Sequence, residues 1–154
     1  LKESKEFKKW KKQNKDCYLS YGFYIVEDED KNWKIGYYNP KTDKVISFDV
    51  SKENVFIESE EQAFKENNEK IKRLDIESVE ISFSEAIKIA KRFQEENYKG
   101  ERPTKLIAIL QHIEIGQVWN ITFVTQRFNT LNMKIDSSTG KVKEHKLSSL
   151  IAFR

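Results

Sequence analysis

The sequence is poor in the residues that most often cross-link a chain or interrupt its elements. Its 154 residues include one cysteine, two prolines and five glycines. The lone Cys17 excludes an intramolecular disulfide, and no CxxC partner or metal-ligand spacing surrounds it, so we expect a half-buried small side chain. So few glycines and prolines leave little room for a flexible or low-complexity linker. Any hinge must therefore be rich in charge.

The sequence also lacks a long apolar run. Its longest purely apolar stretch is residues 106–110, whereas a helix needs roughly 20 such residues to cross a bilayer. We therefore predict no transmembrane helix within the chain. Residue 1 is Leu rather than Met, which leaves room for an upstream signal peptide or anchor, and the compartment stays open.

Common motifs of catalytic, nucleotide-binding and metal centres are missing as well. The patterns GxSxG, HExxH, GxxxxGK and GxGxxG do not occur. Each histidine, His112 and His145, falls in a predicted strand, where a core or edge role is favoured over a ligand or base. The acidic run at residues 27–30 lacks the spacing of a calcium loop, which favours a solvated hairpin tip. We predict no enzyme activity, no cofactor, and no catalytic or metal-binding residues; the binding residues are not identified.

Charge and aromatic side chains are what the sequence has in quantity. Its 28 basic and 25 acidic residues give a net charge of +3, too balanced for a nucleic-acid footprint over the whole chain. Ten Phe, six Tyr and three Trp accompany a charged fraction of 34%, which favours a folded chain over global disorder. The length suits one domain or two small ones.

The first half predicts a helix followed by three strands. Residues 2–15 contain seven lysines, with Phe7, Trp10 and Lys11 at the spacing of a basic amphipathic helix. We favour a sheet-covering role for this helix over a binding role. A period of two then predicts three strands, at residues 18–25, 33–37 and 46–50.

The first strand and the segment after the third strand carry two more specific predictions. In the first strand, one face is expected to be more apolar than the other, because Leu19, Tyr21, Phe23 and Ile25 alternate with Ser20, Gly22 and Tyr24. After the third strand, residues 58–74 predict a second, highly charged amphipathic helix that connects the two halves.

The second half carries the clearest local signals. Ser82 and Glu85 have the spacing of a capping box, and the helix that follows should end before Gly100 and Pro103. Its apolar face is predicted to contain Ala86, Ile87, Ala90 and Phe93. Four strands are predicted after the helix, at residues 106–113, 118–124, 131–135 and 142–147.

The two halves also show a weak internal similarity. A shift of 97 residues lays the turn at 39–45 over residues 136–142, and it aligns Ser51 with Ser148 and Phe56 with Phe153. We predict an α+β fold, with helices packed on antiparallel β-sheet and a tandem duplication of a helix-plus-meander unit. The predicted organisation is a first unit at residues 1–57, a connecting helix at 58–79 and a second unit at 80–154. The two units are either separate or packed as one globule.

Two stretches of the second half resemble the PepSY domain, which occurs in propeptides of secreted metallopeptidases and in extracytoplasmic proteins of bacteria and archaea. Residues 81–90 are similar to that family's capped opening helix. Residues 135–142, with an Asp and a Thr-Gly-Lys-Val turn, are similar to its closing hairpin. The resemblance covers residues 80–147, and a degenerate copy is implied in the first half, where Asp43 replaces the glycine of the turn.

The resemblance implies a non-enzymatic module that binds or restrains a peptidase or another extracytoplasmic protein, with no catalytic residues to carry over. It favours a location outside the cytoplasm or tethered to a membrane. We expect a protein or peptide partner, and the polar strand at residues 142–147 is a candidate edge that could accept an added strand. Membrane contact is expected only through a segment upstream of residue 1, and the oligomeric state is not predicted.

Two other classes of function stay open at this point. A cytoplasmic nucleic-acid-binding protein would use the basic helix and its aromatic side chains, with contacts from Lys8, Lys9, Lys11 and Lys12. A small hydrolase or ligand-binding enzyme would need a deep pocket lined by a histidine or by acids with perturbed pKa values.

Overall fold

The computed structural model describes residues 1–26, 32–51, 54–63 and 70–151. Two α-helices lie in this part of the chain, α1 (Lys5–Gln13) and α2 (Phe83–Asn97), with a short 3-10 turn at Ile76–Ser78. Neither described helix has the length and apolar character needed to span a bilayer. The strands are β1 (Tyr18–Ile25), β2 (Trp33–Asn39), β3 (Lys44–Val50), β4 (Val55–Gln62), β5 (Pro103–Ile113), β6 (Gly116–Thr125), β7 (Asn129–Asp136) and β8 (Val142–Ser149).

All eight strands form one sheet in the order β4-β3-β2-β1-β5-β6-β7-β8. Neighbouring strands are antiparallel throughout. Each half of the chain supplies a helix and then four strands paired in sequence order, and the two halves meet where β1 pairs with β5. The predicted α+β class with an antiparallel sheet is therefore confirmed.

Local hydrogen bonds explain where the two helices begin. The Ser4 hydroxyl accepts from the Phe7 backbone N–H at the start of α1. At the start of α2, the Ser82 hydroxyl accepts from the Glu85 N–H and the Glu85 carboxylate accepts from the Ser82 N–H. This confirms the predicted capping box, and the bonds to Ser82 also lower the pKa of Glu85.

Each helix contributes to its own apolar cluster. Phe7 and Trp10 of α1 contact Phe48 of β3, with ring centroids 5.3 and 4.9 Å apart. Cys17 belongs to the same cluster and is 3% exposed, so it is fully buried rather than half-buried as predicted. The cluster of the second half combines α2 with the central strands; its fully buried members are Ala86, Ala90, Ala108, Ile121, Leu131, Met133 and Ile135.

The predicted connecting helix at residues 58–74 is wrong. Val55–Gln62 is strand β4, which pairs with β3 at one edge of the sheet, and no helix occurs at residues 70–74. Residues 64–69 lie outside the described part. The helical spacing relied on few apolar residues, and pairing to the free edge of β3 satisfies the backbone of this charged segment instead. The described residues of the first half therefore form four strands, where the sequence predicted three.

The predicted apolar face of β1 is also wrong at one position. A register shift between Leu19 and Tyr21 inserts an extra residue, Ser20, whose buried hydroxyl donates to the Gly36 carbonyl. Leu19 consequently packs against the apolar clusters of both helices, on the side of the sheet that we call the helix-bearing face and that Gly22 shares. Tyr21 lies on the opposite face across Gly36. A bulge changes the alternation of side chains because strand faces repeat every two residues.

The turns aligned by the 97-residue shift occupy different places in the fold. The turn at residues 40–43 joins β2 to β3, whereas the turn at residues 137–140 joins β7 to β8. The order of elements instead makes β3 and β7 the third strands of their halves. The proposed alignment therefore does not follow the repeated order of elements, and Phe153 lies outside the described residues.

Candidate functional site

A cleft of about 640 Å³ opens on the helix-bearing face at the middle of the sheet. Strands from both halves form its floor, with apolar side chains from β1, β2, β5 and β6. The segment before α1 contributes to the walls, and so does the segment at residues 70–82, which we call the strap. The apolar lining includes Leu19, Trp33, Ile35, Leu74, Ile81, Leu110 and Trp119.

Gly22 lies in the floor of the cleft. It pairs with Ile35 of β2 on one side and with Leu110 of β5 on the other, so it occupies the centre of the sheet without a side chain. A Cβ at this position would lie 3.6 Å from the Trp33 ring, which is an ordinary van der Waals distance. A methyl group therefore fits at Gly22 against the Trp33 and Ile35 side chains, whereas a larger side chain would fill part of the cleft.

Aromatic rings form a fixed side of the cleft. The Phe83 ring lies 5.1 Å from that of Trp33 and 5.7 Å from that of Trp119, measured between centroids. The Trp119 indole N–H donates to the Ile81 carbonyl at 2.9 Å. Such tilted and edge-to-face contacts hold the rings in place, so this side of the cleft is preformed.

Hydrogen bonds attach the strap to β1, to β5 and to the turn after β7. The Leu74 N–H donates to the Leu19 carbonyl at 2.9 Å, and the Ile81 N–H donates to the Ser137 carbonyl at 2.9 Å. His112 Nδ1 lies 2.8 Å from the Arg73 carbonyl; a carbonyl can only accept, so Nδ1 carries the proton in this bond. These hydrogen bonds hold the strap in place as a wall of the cleft, and His112 helps to hold it.

The polar content of the cleft is small. Tyr37 is 6% exposed and lines the cleft, and its hydroxyl makes no hydrogen bond to any residue that the structure describes. Burial raises the pKa of this hydroxyl, so it is a neutral group able to donate or accept one hydrogen bond. Charged side chains lie at the rim: Lys2, Glu3 and Glu80.

The remaining candidate residues lie away from the cleft. His145 of β8 has its Nδ1 2.6 Å from the Tyr98 hydroxyl, and its ring lies 4.8 Å from that of Phe93 at the end of α2. The described residues contain no group of three or more His, Cys, Asp or Glu side chains placed to hold a metal ion. The acidic run at residues 27–30 lies outside the described part.

Part of the basic helix that the nucleic-acid hypothesis assigns to binding is engaged within the fold. Lys11 Nζ donates to the Asn14, Lys15 and Cys17 carbonyls at 3.3, 3.0 and 2.6 Å, which closes the C-terminal end of α1. The two aromatic side chains of the helix are in the core. Lys8, Lys9 and Lys12 remain on the exposed face.

The structure places β8 at an edge of the sheet, as expected, and β4 at the other edge. The turn before β8 is held by Asp136, whose carboxylate accepts from the Ser138 and Thr139 N–H groups and pairs with Lys143 at 3.0 Å. Burial alone would raise the pKa of Asp136, but the Thr139 N–H, Lys143 and the Ser138 N–H outweigh it and lower the pKa to about 2.

Sequence reasoning did not find the cleft. Its floor comes from four strands that are distant in sequence, and its wall comes from the strap, which was assigned in part to a helix. One local signal was present, because a glycine inside a strand rich in aromatic residues marks a close approach or an open space. Gly22 fits that pattern.

No protein-family model and no curated protein matches this sequence. The fold is similar to the crystal structure of a "putative lipoprotein" from Clostridium difficile 630, with a TM-score of 0.62 and 14% sequence identity. The similarity covers 93% of this chain and 90% of the other. This likeness shows a shared fold over nearly the whole chain, and the resemblance to PepSY domains stays a prediction.

Proposed function

We propose that the chain is a non-enzymatic interaction module that binds a protein or peptide partner by burying the partner's apolar side chains in the central cleft. The observation that carries this proposal is the apolar lining around Gly22, Trp33 and Trp119. Its volume of about 640 Å³ lies within the usual range for binding sites. Each aliphatic or aromatic side chain that enters would contribute about 1.5–3 kcal/mol before the costs of association.

A peptide segment suits the polar groups that surround the cleft. The Tyr37 hydroxyl can bond to a backbone N–H or C=O group, and the rim carries charges of both signs in Lys2, Glu3 and Glu80. The sheet edges at β4 and β8 offer additional places for strand addition. These features support a protein partner over a small charged metabolite.

The biological role is a second part of the proposal. The PepSY resemblance of residues 80–147 supports restraint of a secreted peptidase or of another extracytoplasmic protein. The lipoprotein with the similar fold supports a location outside the cytoplasm or at a membrane. We also propose that the halves arose by tandem duplication, because each supplies a helix and then four consecutive strands.

The cleft can be tested with a substitution at Gly22. Gly22→Val should fill the floor while suiting a strand, and Gly22→Ala is the matched control because its Cβ meets only ordinary contacts. Peptides selected by display on the wild-type protein should shift the tryptophan fluorescence, because Trp33 and Trp119 line the cleft. Binding should weaken at least tenfold in Gly22→Val and change little in Gly22→Ala.

Inhibition assays on several secreted metallopeptidases test the role. A peptidase that the wild-type protein inhibits should stay active in the presence of the Gly22→Val variant. If neither peptides nor peptidases bind, or if Gly22→Val binds them as tightly as the wild type, the proposal is wrong.

Nucleic-acid binding is the competing outcome that the same preparation can reveal. Replacement of Lys8, Lys9 and Lys12 by Glu should abolish binding to an oligonucleotide if the helix uses its exposed lysines, and affinity should fall steeply with salt. The Lys11 amine closes the end of α1, so Lys11 is left unchanged to preserve the fold. Absent or salt-insensitive binding excludes this alternative.

A further inference from the structure

The turn between β6 and β7 presents an exposed aromatic side chain in a strained backbone conformation. Phe128 is 62% exposed and has a φ of 56°, in the left-handed region that bulky residues rarely adopt. Glycine or asparagine would fit this position with less strain. A phenylalanine that is both strained and exposed points to a role for its side chain outside the fold.

A buried polar network holds this turn in place. The Glu101 carboxylate, in a residue only 7% exposed, accepts from the Thr125 hydroxyl at 2.6 Å and from the Asn129 side-chain amide at 3.1 Å. The Gln94 amide donates to the Glu101 carbonyl at 2.8 Å. The Phe128 N–H donates to the Thr125 carbonyl at 3.0 Å. The aromatic ring therefore projects from a rigid base.

Two further exposed apolar residues follow β8, whose end pairs with the strand that leaves this turn. The Leu150 N–H donates to the Phe128 carbonyl at 2.8 Å, which brings the end of β8 against the turn. Leu150 is 47% exposed and Ile151 is 61% exposed. We call Phe128, Leu150 and Ile151 the apolar tip.

Exposed cations lie on the turn that carries Phe128 and on the loop next to it. The Gln126 N–H donates to the Arg102 carbonyl at 2.9 Å, and a Cβ on Gly100 would lie 3.1 Å from Arg127 Nη1, so the loop before β5 adjoins the turn. Lys99, Arg102 and Arg127 are exposed. No ion pair recorded among the described residues engages them.

The acidic side chains of the same region lie away from the loop surface and the turn that carry these cations. The Glu101 carboxylate is turned inward and hydrogen-bonded, and the exposed Glu95 and Glu96 lie on the last turn of α2. The loop and turn that carry the apolar tip therefore present cations and apolar side chains together.

We propose that the apolar tip is a docking site for an anionic lipid bilayer. The three apolar side chains enter the boundary between headgroups and acyl chains, and Lys99, Arg102 and Arg127 contact lipid phosphates. Exposed apolar side chains combined with nearby cations are the chemistry of peripheral membrane binding. The site is separate from the cleft, because the strap crosses the other end of these strands, near His112 and Gln117.

Cosedimentation with vesicles of phosphatidylglycerol and phosphatidylcholine, compared with phosphatidylcholine alone, tests the docking site. Phe128→Gly relieves the backbone strain, so the melting temperature should stay the same or rise. Because the substitution also removes the aromatic ring, binding to anionic vesicles should weaken about tenfold or more. Arg127→Gln should weaken binding to anionic vesicles about fivefold and leave neutral vesicles unaffected. Phe56→Ser is the matched control, because Phe56 is 61% exposed on the far strand β4, and it should bind like the wild type.

Three results would overturn the proposal. The first is equal binding of Phe128→Gly and the wild type, and the second is equal binding to anionic and neutral vesicles. The third is loss of a protein partner in Phe128→Gly when the wild type does not bind vesicles, which would assign the apolar tip to a protein. None of these three results depends on the cleft. The Gly22→Val experiment therefore tests the proposed function independently of the docking site.

Discussion

Gly36 is the position where one added methyl group should most damage the sheet. Tyr21 lies across it from the neighbouring strand, and a Cβ on Gly36 would come well inside 3.0 Å of three Tyr21 ring atoms. The ring cannot simply rotate away, because its hydroxyl is hydrogen-bonded to Ser47 at 2.6 Å. Gly36→Ala must therefore displace the ring and break this bond.

The expected cost can be assembled from two effects. Loss of the Tyr21–Ser47 hydrogen bond removes about 0.5–1.5 kcal/mol, and the overpacking itself costs about 1–3 kcal/mol. Together they should lower the free energy of unfolding by about 2–4 kcal/mol. For a chain of this length that corresponds to a decrease in melting temperature of roughly 5–15 °C.

Urea denaturation followed by circular dichroism measures the change, and Gly22→Ala is the control on the same sheet. A Cβ at Gly22 meets neighbours at 3.6–3.7 Å, so its free energy of unfolding should change by less than about 1 kcal/mol. In a Tyr21→Ala background, Gly36→Ala should cost little, because the clash is gone. If Gly36→Ala is as harmless as Gly22→Ala in the wild-type background, the assigned packing of Tyr21 is incorrect.

Two further predictions concern the motifs found in the sequence. The pKa of Asp136 is lowered from 3.8 to about 2, so its stabilisation is present above about pH 4 and lost as the pH falls toward 2; the difference is about 2 kcal/mol. Asp136→Asn should therefore be less stable than the wild type at pH 7 but nearly equal at pH 2, as urea titrations at both values will test; equal stability at pH 7 would contradict this. Ser82→Ala should cost about 0.5–2 kcal/mol by removing the cap of α2. The exposed Ser84→Ala is its control, and equal thermal stability of the two variants would exclude the capping role.

The elements that the sequence predicts well are those that depend on residues close together in the chain. The start of α2 follows from Ser82 and Glu85, three residues apart, and β6 and β7 follow from alternating buried side chains. Strand β4 escaped prediction because Glu58, Glu60 and Glu61 carry no alternating apolar pattern, and its pairing depends on the distant β3.

The bulge at Ser20 and the cleft were also out of reach of sequence reasoning. The buried hydrogen bond of Ser20 to Gly36 joins two strands, and no local sequence pattern predicts it. The cleft depends on the order of strands in the sheet, which places Leu19 of the first half near Leu110 of the second. Sequence periodicity defines the faces of single strands but not which strands become neighbours.

The pairing of β1 with β5 has a consequence for how the chain assembles. Each four-strand meander can form from contacts close in sequence, whereas this central pair joins residues far apart and should form late in folding. Gly22 and Leu110 sit opposite each other in that pair and both line the cleft. A ligand in the cleft would therefore bind only after the halves have joined, and by mass action it would oppose their separation and the exchange of halves between two molecules.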